Sequence, residues 1–251
     1  MNISGIEAFL DKYLSVKKIP DSSQNGLQVK SRKRQVKLVV FAVDACMDVF
    51  FKAKKLGAGL VVVHHGLLWE NAKPDVFAKE RIKFLRKNNI SLYAAHLPLD
   101  MHKEVGNNAV IADAMGIKKR KPFGRYEGVA CGVRGQLPKR MAQNAFLEFV
   151  KSRIGAVTSA QFFGPKSVRN IGIVSGSGSF AIMQMKRAGL DTLLSGEPKH
   201  AAYHDALEAR INVVYAGHYA TERFGVMALS EKLKKEFPEL RTRFIESQTG
   251  L

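Results

Sequence analysis

Three pairs of side chains that can bind metal ions follow short apolar runs in this chain of 251 residues. The pairs are His64 with His65, His96 with Asp100, and His218 with Glu222. Imidazole and carboxylate groups are ligands that zinc, iron and manganese accept, and two such ions about 3.5–4 Å apart can share an activated water. The residue types therefore predict two divalent metal ions, provided that the fold brings the three pairs to one place.

Each of these residues also has a structural interpretation when it is taken alone. A single histidine at a strand end is more often a hydrogen-bonded structural residue than a ligand. Asp100 would serve equally to begin a turn. Glu222 would interact favourably with the helix dipole from the first turn of a helix. Six such groups at the ends of predicted strands, taken together, favour the metal interpretation over these separate structural ones. The other histidines follow no predicted strand, and they are His102, His200 and His204.

The elements that position these residues follow from the apolar pattern, which alternates short β-branched runs with helical periodicity. The runs predict strands at 37–43, 60–63, 90–94, 171–175, 192–195 and 211–215. The periodicity predicts helices at 47–56, 76–87, 107–115, 139–153, 180–187, 200–209 and 222–235. Alternating strands and helices indicate an α/β fold in which helices cover mainly parallel sheets. Ligands of such sheets bind beyond the carboxyl ends of the strands, where the three pairs fall.

The alternation occurs twice, which predicts two related α/β units. KAKKLGAGLVVVHHG (52–66) aligns with QMKRAGLDTLLSGEP (184–198), and His96-x-x-x-Asp100 corresponds to His218-x-x-x-Glu222. A match this weak is also what generic βαβ sequence patterns produce. We place the units at 1–122 and 123–251, with a boundary near 121–125 inside a less regular stretch at 118–132. The C-terminal segment is expected to intertwine with the first unit.

The segment SGSGS (175–179) follows a predicted strand and resembles a turn that binds phosphate through backbone N–H groups. It lacks the lysine of a P-loop and the spacing of a dinucleotide-binding fingerprint. A tight turn between a strand and a helix explains the same residues.

The formal net charge of +18 attracts polyanions, nucleic acid and nucleotides among them. Basic residues are concentrated at 30–37, 118–121, 232–235 and 241–243, and a solvated coat is the alternative explanation. Cys46 and Cys131 match neither a disulfide framework nor a thiolate zinc site. No apolar run is long enough to span a membrane, and the N-terminus has no basic leader, so we expect a cytoplasmic protein without a membrane partner.

Four segments together resemble one known family, the Nif-three-like dinuclear-metal family, also called the type 2 GTP cyclohydrolase I homologues. They are SQNGLQV (23–29), VVVHHGLLW (61–69), AAHLPLD (94–100) with GNNAVIADAMG (106–116), and AGHYATE (216–222). The resemblance covers essentially the whole chain, and the chain's length resembles the short form of the family. One departure is Ser23–Gln24, where many members have an acidic or proline residue. The resemblance implies a two-domain α/β subunit, commonly a toroidal homohexamer, with two metals in the interdomain cleft. The implied ligands are His64, His65, Asp100, His218 and Glu222, with His96 near the metals.

The expected function is metal-dependent hydrolysis of a nucleotide-like or phosphate-containing substrate. His96 is the expected catalytic residue that moves the proton, and a carboxylate that binds no metal is the alternative. The cyclohydrolase activity itself is not implied, because the chain lacks the Cys and His spacing of the established zinc cyclohydrolase. One alternative is a ring-shaped nucleic-acid-binding or regulatory protein in which the metals are structural. Another is a protein that handles metal without turnover.

Overall fold

The computed structural model describes residues 1–70 and 72–250. The helices, in chain order, are α1 (Ile3–Tyr13), α2 (Met47–Lys55), α3 (Val76–Lys87), α4 (Leu97–Asp100), α5 (Asn107–Ala114), α6 (Gln143–Ile154), α7 (Ile182–Arg187), α8 (Ala202–Ala209) and α9 (His218–Glu236). The strands are β1 (Gly26–Val29), β2 (Leu38–Asp44), β3 (Leu60–His65), β4 (Ser91–Ala94), β5 (Lys118–Tyr126), β6 (Val129–Ala142), β7 (Ser159–Phe162), β8 (Ser167–Val174), β9 (Thr192–Ser195), β10 (Asn212–Tyr215) and β11 (Arg241–Phe244).

The first unit comprises Met1–Val105 and Gly225–Ser247 and contains one sheet with the strand order β1-β4-β3-β2-β11. Strands β4, β3, β2 and β11 are parallel, and β1 is antiparallel at the edge. The central strands β2 and β3 are almost continuously apolar because helices cover both faces of a parallel sheet. Phe50, Val61 and Leu92 lie in the core that results, each with no more than 1% exposure.

The second unit comprises Gly106–Phe224 and a short stretch that begins at Gln248. Its sheet has the order β5-β6-β8-β9-β10-β7, in which β8, β9 and β10 are parallel and the other pairings are antiparallel. Phe146 of α6, Ile173 of β8 and Val214 of β10 lie in its core. Two α/β units with sheets covered by helices are therefore present; the first sheet is parallel except for β1, and the second combines parallel and antiparallel strands.

The predicted irregular stretch at 118–132 is wrong, because these residues form the hairpin of β5 and β6. Four cations at the start of β5 conceal the strand pattern, since they are exposed and only Phe123 and Gly124 of that strand are buried. The predicted boundary near 121–125 accordingly falls inside β5. The contacts divide the chain after Val105, since α5 packs against β6 and β8 of the second sheet. Helix α6 also begins later than predicted, because β6 continues to Ala142.

Among the helices that the structure describes, we find none with the length and apolar character that crossing a membrane requires.

Candidate metal centre

Three histidines converge at the carboxyl ends of two neighbouring strands in the first unit. His64 and His65 are the last residues of β3, and His96 follows β4 directly before α4. One ligand atom from each imidazole lies within 4.8 Å of the other two. The ring centroids are 4.6 Å apart for His64 and His65, 5.1 Å for His64 and His96, and 5.7 Å for His65 and His96. Parallel pairing of β3 with β4 produces this convergence.

A main-chain or side-chain oxygen lies against the Nδ1 atom of each of these imidazoles. Such a contact fixes the orientation of a histidine and directs Nε2 toward a metal ion, as the outer partners of metal-binding histidines commonly do. The contacts are His64 with the Ala95 carbonyl oxygen at 3.0 Å, His65 with Asp44 Oδ1 at 2.9 Å, and His96 with Asp21 Oδ1 at 2.9 Å.

Asp100 ends the short helix α4 and places a carboxylate beside the histidines. The side chain is buried, and its Oδ2 lies 3.5 Å from Nε2 of His64. Two ligand atoms bound at about 2.0–2.2 Å to a tetrahedral ion would lie about 3.4 Å apart. The spacing of these two atoms therefore suits two ligands of one ion.

Asp21 fixes the loop before β1 against His96. Its Oδ2 accepts hydrogen bonds from the backbone N–H of Leu97 and from Nδ2 of Asn25, both at 2.8 Å. Burial raises the pKa of Asp21, but the hydrogen bond and charge of His96, with smaller help from Asn25, more than offset this and leave the pKa below its usual value. Asp21 therefore stays ionised at neutral pH and holds the His96 ring through the contact with Nδ1.

The second unit carries its own pair of candidate ligands in the first turn of α9. His218 and Glu222 are four residues apart, and Nε2 of His218 lies 3.1 Å from Oε2 of Glu222. Glu197, which follows β9, lies 3.0 Å from Nδ1 of the same histidine. Burial lowers the pKa of His218, but the hydrogen bonds and charges of Glu222 and Glu197 outweigh it and raise the pKa to about 9.

The loop after β8 packs directly against this pair through Gly176. A Cβ atom at this position would overlap Oε1 of Glu222 and come within 3.0 Å of Nε2 of His218. The residue also has a φ of +59°, a conformation that favours glycine. Glycine at this position therefore allows the loop to approach both candidate ligands.

The same loop does not support the phosphate-binding interpretation of SGSGS. Backbone N–H groups at 175, 176 and 178 donate to side chains of the protein rather than forming an open cradle. The bonds run from Ser175 to Asn108 Oδ1 at 2.8 Å, from Gly176 to Thr221 Oγ1 at 3.0 Å, and from Gly178 to Ser195 Oγ at 2.9 Å. Their effect is to hold the loop in place beside α9.

Comparison with known proteins now identifies the family. The model of the family described as Duf34/NIF3 (NGG1p interacting factor 3) matches residues 1–250. The chain belongs to the Duf34/NIF3 family. The protein named "GTP cyclohydrolase 1 type 2 homolog" from Archaeoglobus fulgidus is 42% identical over 100% of both chains. The solved structure "Structural genomics, protein ybgI, unknown function" is 32% identical with a TM-score of 0.92, and TTHA1606 from Thermus thermophilus is 37% identical with a TM-score of 0.87, each over 100% of both chains.

The structure of this Duf34/NIF3 protein brings His64, His65, His96 and Asp100 together in one unit and pairs His218 with Glu222 in the other. Both donor sets combine nitrogen and oxygen ligands, which suit zinc, iron or manganese. Buried carboxylates beside imidazoles also fit a divalent cation, because its charge would offset theirs. The residues present can therefore bind metal.

The three carboxylates that orient the histidines were not identified from the sequence. Asp44 ends β2 and Glu197 follows β9, so the strand-end rule that found the histidines would also have found these two. Asp21 lies in a loop before β1, where no periodic pattern marks it. His102 accepts hydrogen bonds from the backbone N–H groups of Glu104 and Val105, which is a structural role.

Proposed function

We propose that the protein is a dinuclear metal-dependent hydrolase that acts on a nucleotide-like or phosphate-containing substrate. The observation that carries this proposal is the convergence of His64, His65 and His96, each oriented by an oxygen at Nδ1. Three histidines with fixed orientations at the ends of two neighbouring strands are more than a structural role requires. About one fifth of the side chains of His65 and His96 is exposed, 22% and 20%, which suits residues that must meet a substrate.

The proposed ligands of two divalent ions come from both units. The family resemblance, rather than a distance between the units, is our ground for assigning the two groups to one centre. The ligands are His64, His65, Asp100, His218 and Glu222. Zinc, iron and manganese all accept this set of nitrogen and oxygen donors.

The remaining groups have separate tasks in the proposed reaction. Bound divalent ions would lower the pKa of water toward neutrality and stabilise negative charge that develops on the substrate. His96 moves the proton, since Asp21 holds its ring and stabilises the imidazolium that proton uptake creates. A phosphate-containing substrate is supported by the net charge of +18, which attracts anions. The names of curated relatives, "GTP cyclohydrolase 1 type 2 homolog", point to nucleotides as the first class to test.

The test combines metal content with turnover. Elemental analysis of the native protein should find two divalent ions per chain, and His65→Ala should lose most of this metal. The matched control is His200→Ala, which removes an exposed imidazole outside the centre.

Native protein loaded with zinc, iron or manganese would then be screened against nucleotides and phosphoesters. His96→Gln should retain the metal and lose turnover, which separates the proton-moving role from a ligand role. Unchanged metal in His65→Ala would contradict the assignment.

Nucleic-acid binding is a second candidate function, favoured by one specific surface of the first unit. Lys79, Lys83 and Arg86 share a face of α3 and, with Lys87, line a concavity of about 590 Å³. Charge reversal at Lys83 and Arg86 should weaken the binding of duplex DNA. The slope of log K against log salt concentration should become shallower by about 0.9 for each phosphate contact that is lost. The His65→Ala protein should keep this binding if the surface acts independently of metal. DNA binding that stays unchanged after charge reversal at Lys83 and Arg86 would contradict this candidate function.

A further inference from the structure

The second unit carries a polar cavity of about 270 Å³ at the opposite end of its parallel strands from His218. Asn170 lies in the first half of β8 and Leu190 precedes β9, so both mark the amino ends of these strands. Gly176 and Glu197 follow the same two strands at their carboxyl ends. The cavity is therefore separate, within this unit, from the His218–Glu222 pair.

Three cationic side chains line this cavity. Lys119 and Lys121 come from β5, and Arg134 lies on β6 directly opposite Lys121. In the part of the chain that the structure describes, none of the three forms an ion pair with a carboxylate. Asp191, the nearest acidic residue along the chain from Leu190, accepts hydrogen bonds from the backbone N–H groups of residues 169 and 170. Positive charge is thus concentrated without a local counter-charge.

A β-bulge in β5 contains Arg120, the cation between Lys119 and Lys121, which does not line the cavity. The pairing of β5 with β6 shifts between Lys118 and Lys121, and Lys119 adopts a φ of +52° there. Arg120, inside the bulge, donates to Asp113 Oδ1 at 2.5 Å and to the Ile117 carbonyl at 3.0 Å. The charge of Arg120 is therefore neutralised outside the cavity, while the lysines on either side of it line the cavity.

Neutral donors complete the lining. The Nε2 of Gln136 donates to Oδ1 of Asn170 at 3.0 Å, so the Asn170 amide contributes N–H donors. Arg134 donates through one terminal nitrogen to the Ala188 carbonyl at 3.4 Å, which tethers a guanidinium that has further N–H groups. Charged and amide donors together form the kind of site that multiply charged oxyanions prefer.

We propose that this cavity binds a phosphate group. A dianion would relieve the mutual repulsion of three cations, and its oxygens would accept charge-assisted hydrogen bonds from Lys119, Lys121 and Arg134. One water occupies about 30 Å³ in the liquid, so the cavity has room for a phosphate or pyrophosphate with several waters. The phosphate belongs either to a free anion or nucleotide or to a nucleic-acid backbone. The proposal does not depend on the hydrolase function.

The test compares two double variants that remove the same amount of charge. Lys121→Gln/Arg134→Gln removes two cations from the cavity, and Lys234→Gln/Lys235→Gln removes two exposed cations from the last turn of α9. Binding of inorganic phosphate and of pyrophosphate would be measured by calorimetry at low salt. The same titration of His65→Ala excludes phosphate binding at the metal centre as the source of the signal. A single-stranded oligonucleotide serves as the second probe.

The cavity variant should lose about tenfold or more in affinity for phosphate and pyrophosphate, because at least two charge-assisted hydrogen bonds disappear. The α9 variant should change this affinity by less than about twofold, since exposed charges at a distance are screened. If only the oligonucleotide shows the cavity-specific loss, the phosphate source is a nucleic-acid backbone. The proposal is overturned if neither probe distinguishes the two variants or if the native protein binds neither probe.

Discussion

Each candidate histidine in this protein is oriented by an oxygen at Nδ1, and the affinity for metal should depend on these outer contacts. Asp44 is the partner of His65 at 2.9 Å. Asp44→Asn should weaken metal binding by about 10–100-fold, the usual cost of losing an outer-shell partner. Asp48→Asn is the matched control, because Asp48 is also a carboxylate, in the first turn of α2, but pairs with the exposed Lys52. Competition with a chromophoric chelator measures both affinities. Equal values for the two variants would show that Asp44 does not position a ligand.

The raised pKa of His218 predicts how the metal-free protein responds to pH. A folded-state pKa of about 9, above the ordinary 6.5, means that the charged form stabilises the fold fully below pH 6.5. This contribution is lost as the pH rises through 9. Nuclear magnetic resonance of the metal-free protein should find the His218 ring titrating near 9, and Glu197→Gln should move this pKa down. Metal binding at neutral pH should release the proton of His218. Titration near 6.5 in the metal-free protein would contradict the ion-pair geometry.

Among the elements, the buried parallel strands were predictable, whereas the edge strands and the interior antiparallel strand β6 were not. β2, β3, β4, β8, β9 and β10 are short apolar runs because both faces are covered, so composition alone reveals them. β1, β5, β7 and β11 lie at sheet edges, where exposed residues dilute the pattern. The candidate ligands follow the first class of strand, which explains why sequence reasoning found them. Asp21 depends on a loop whose path is determined by tertiary contacts, so no local pattern marked it.

The loop after β8 allows a matched test of its positioning role. Gly176→Ala should disturb His218 and Glu222 as well as strain the backbone, because the new Cβ overlaps the Glu222 carboxylate. Gly57→Ala introduces a similar positive-φ strain at +73° but meets no atom within 4 Å. Thermal unfolding should show a stability loss of about 1 kcal/mol for Gly57→Ala and a larger one for Gly176→Ala. Metal content should fall only in Gly176→Ala. Full metal in that variant would remove the loop from the centre.

At the scale of the whole molecule, a strand–helix arrangement recurs in the two units. In the first unit, β4 leads to His96 and then to Asp100 at the end of α4, and in the second, β10 leads to His218 and Glu222 in α9. Both pairs are separated by four residues, and both have a carboxylate against the Nδ1 atom of the histidine. The weak internal match in the sequence therefore corresponds to a shared local structure. Helix α9 begins in the second unit and continues into the first, so one helix connects them covalently.

Assembly is the remaining expectation at this scale, and we propose a homohexamer on the family resemblance. Light scattering should then report about six times the 27.8 kDa of one chain.

The first unit exposes Val76 and Phe77 at the start of α3, 60% and 64% accessible, and apolar surface of this kind is commonly buried in oligomers. If this surface lies at a subunit contact, Phe77→Asp should lower the mass, whereas Lys87→Asp on the same helix should not. High salt should not dissociate an apolar contact of this kind, because burial rather than charge stabilises it. A monomer at micromolar concentration would contradict the hexamer, and a hexamer unaffected by Phe77→Asp would place the contact on another surface.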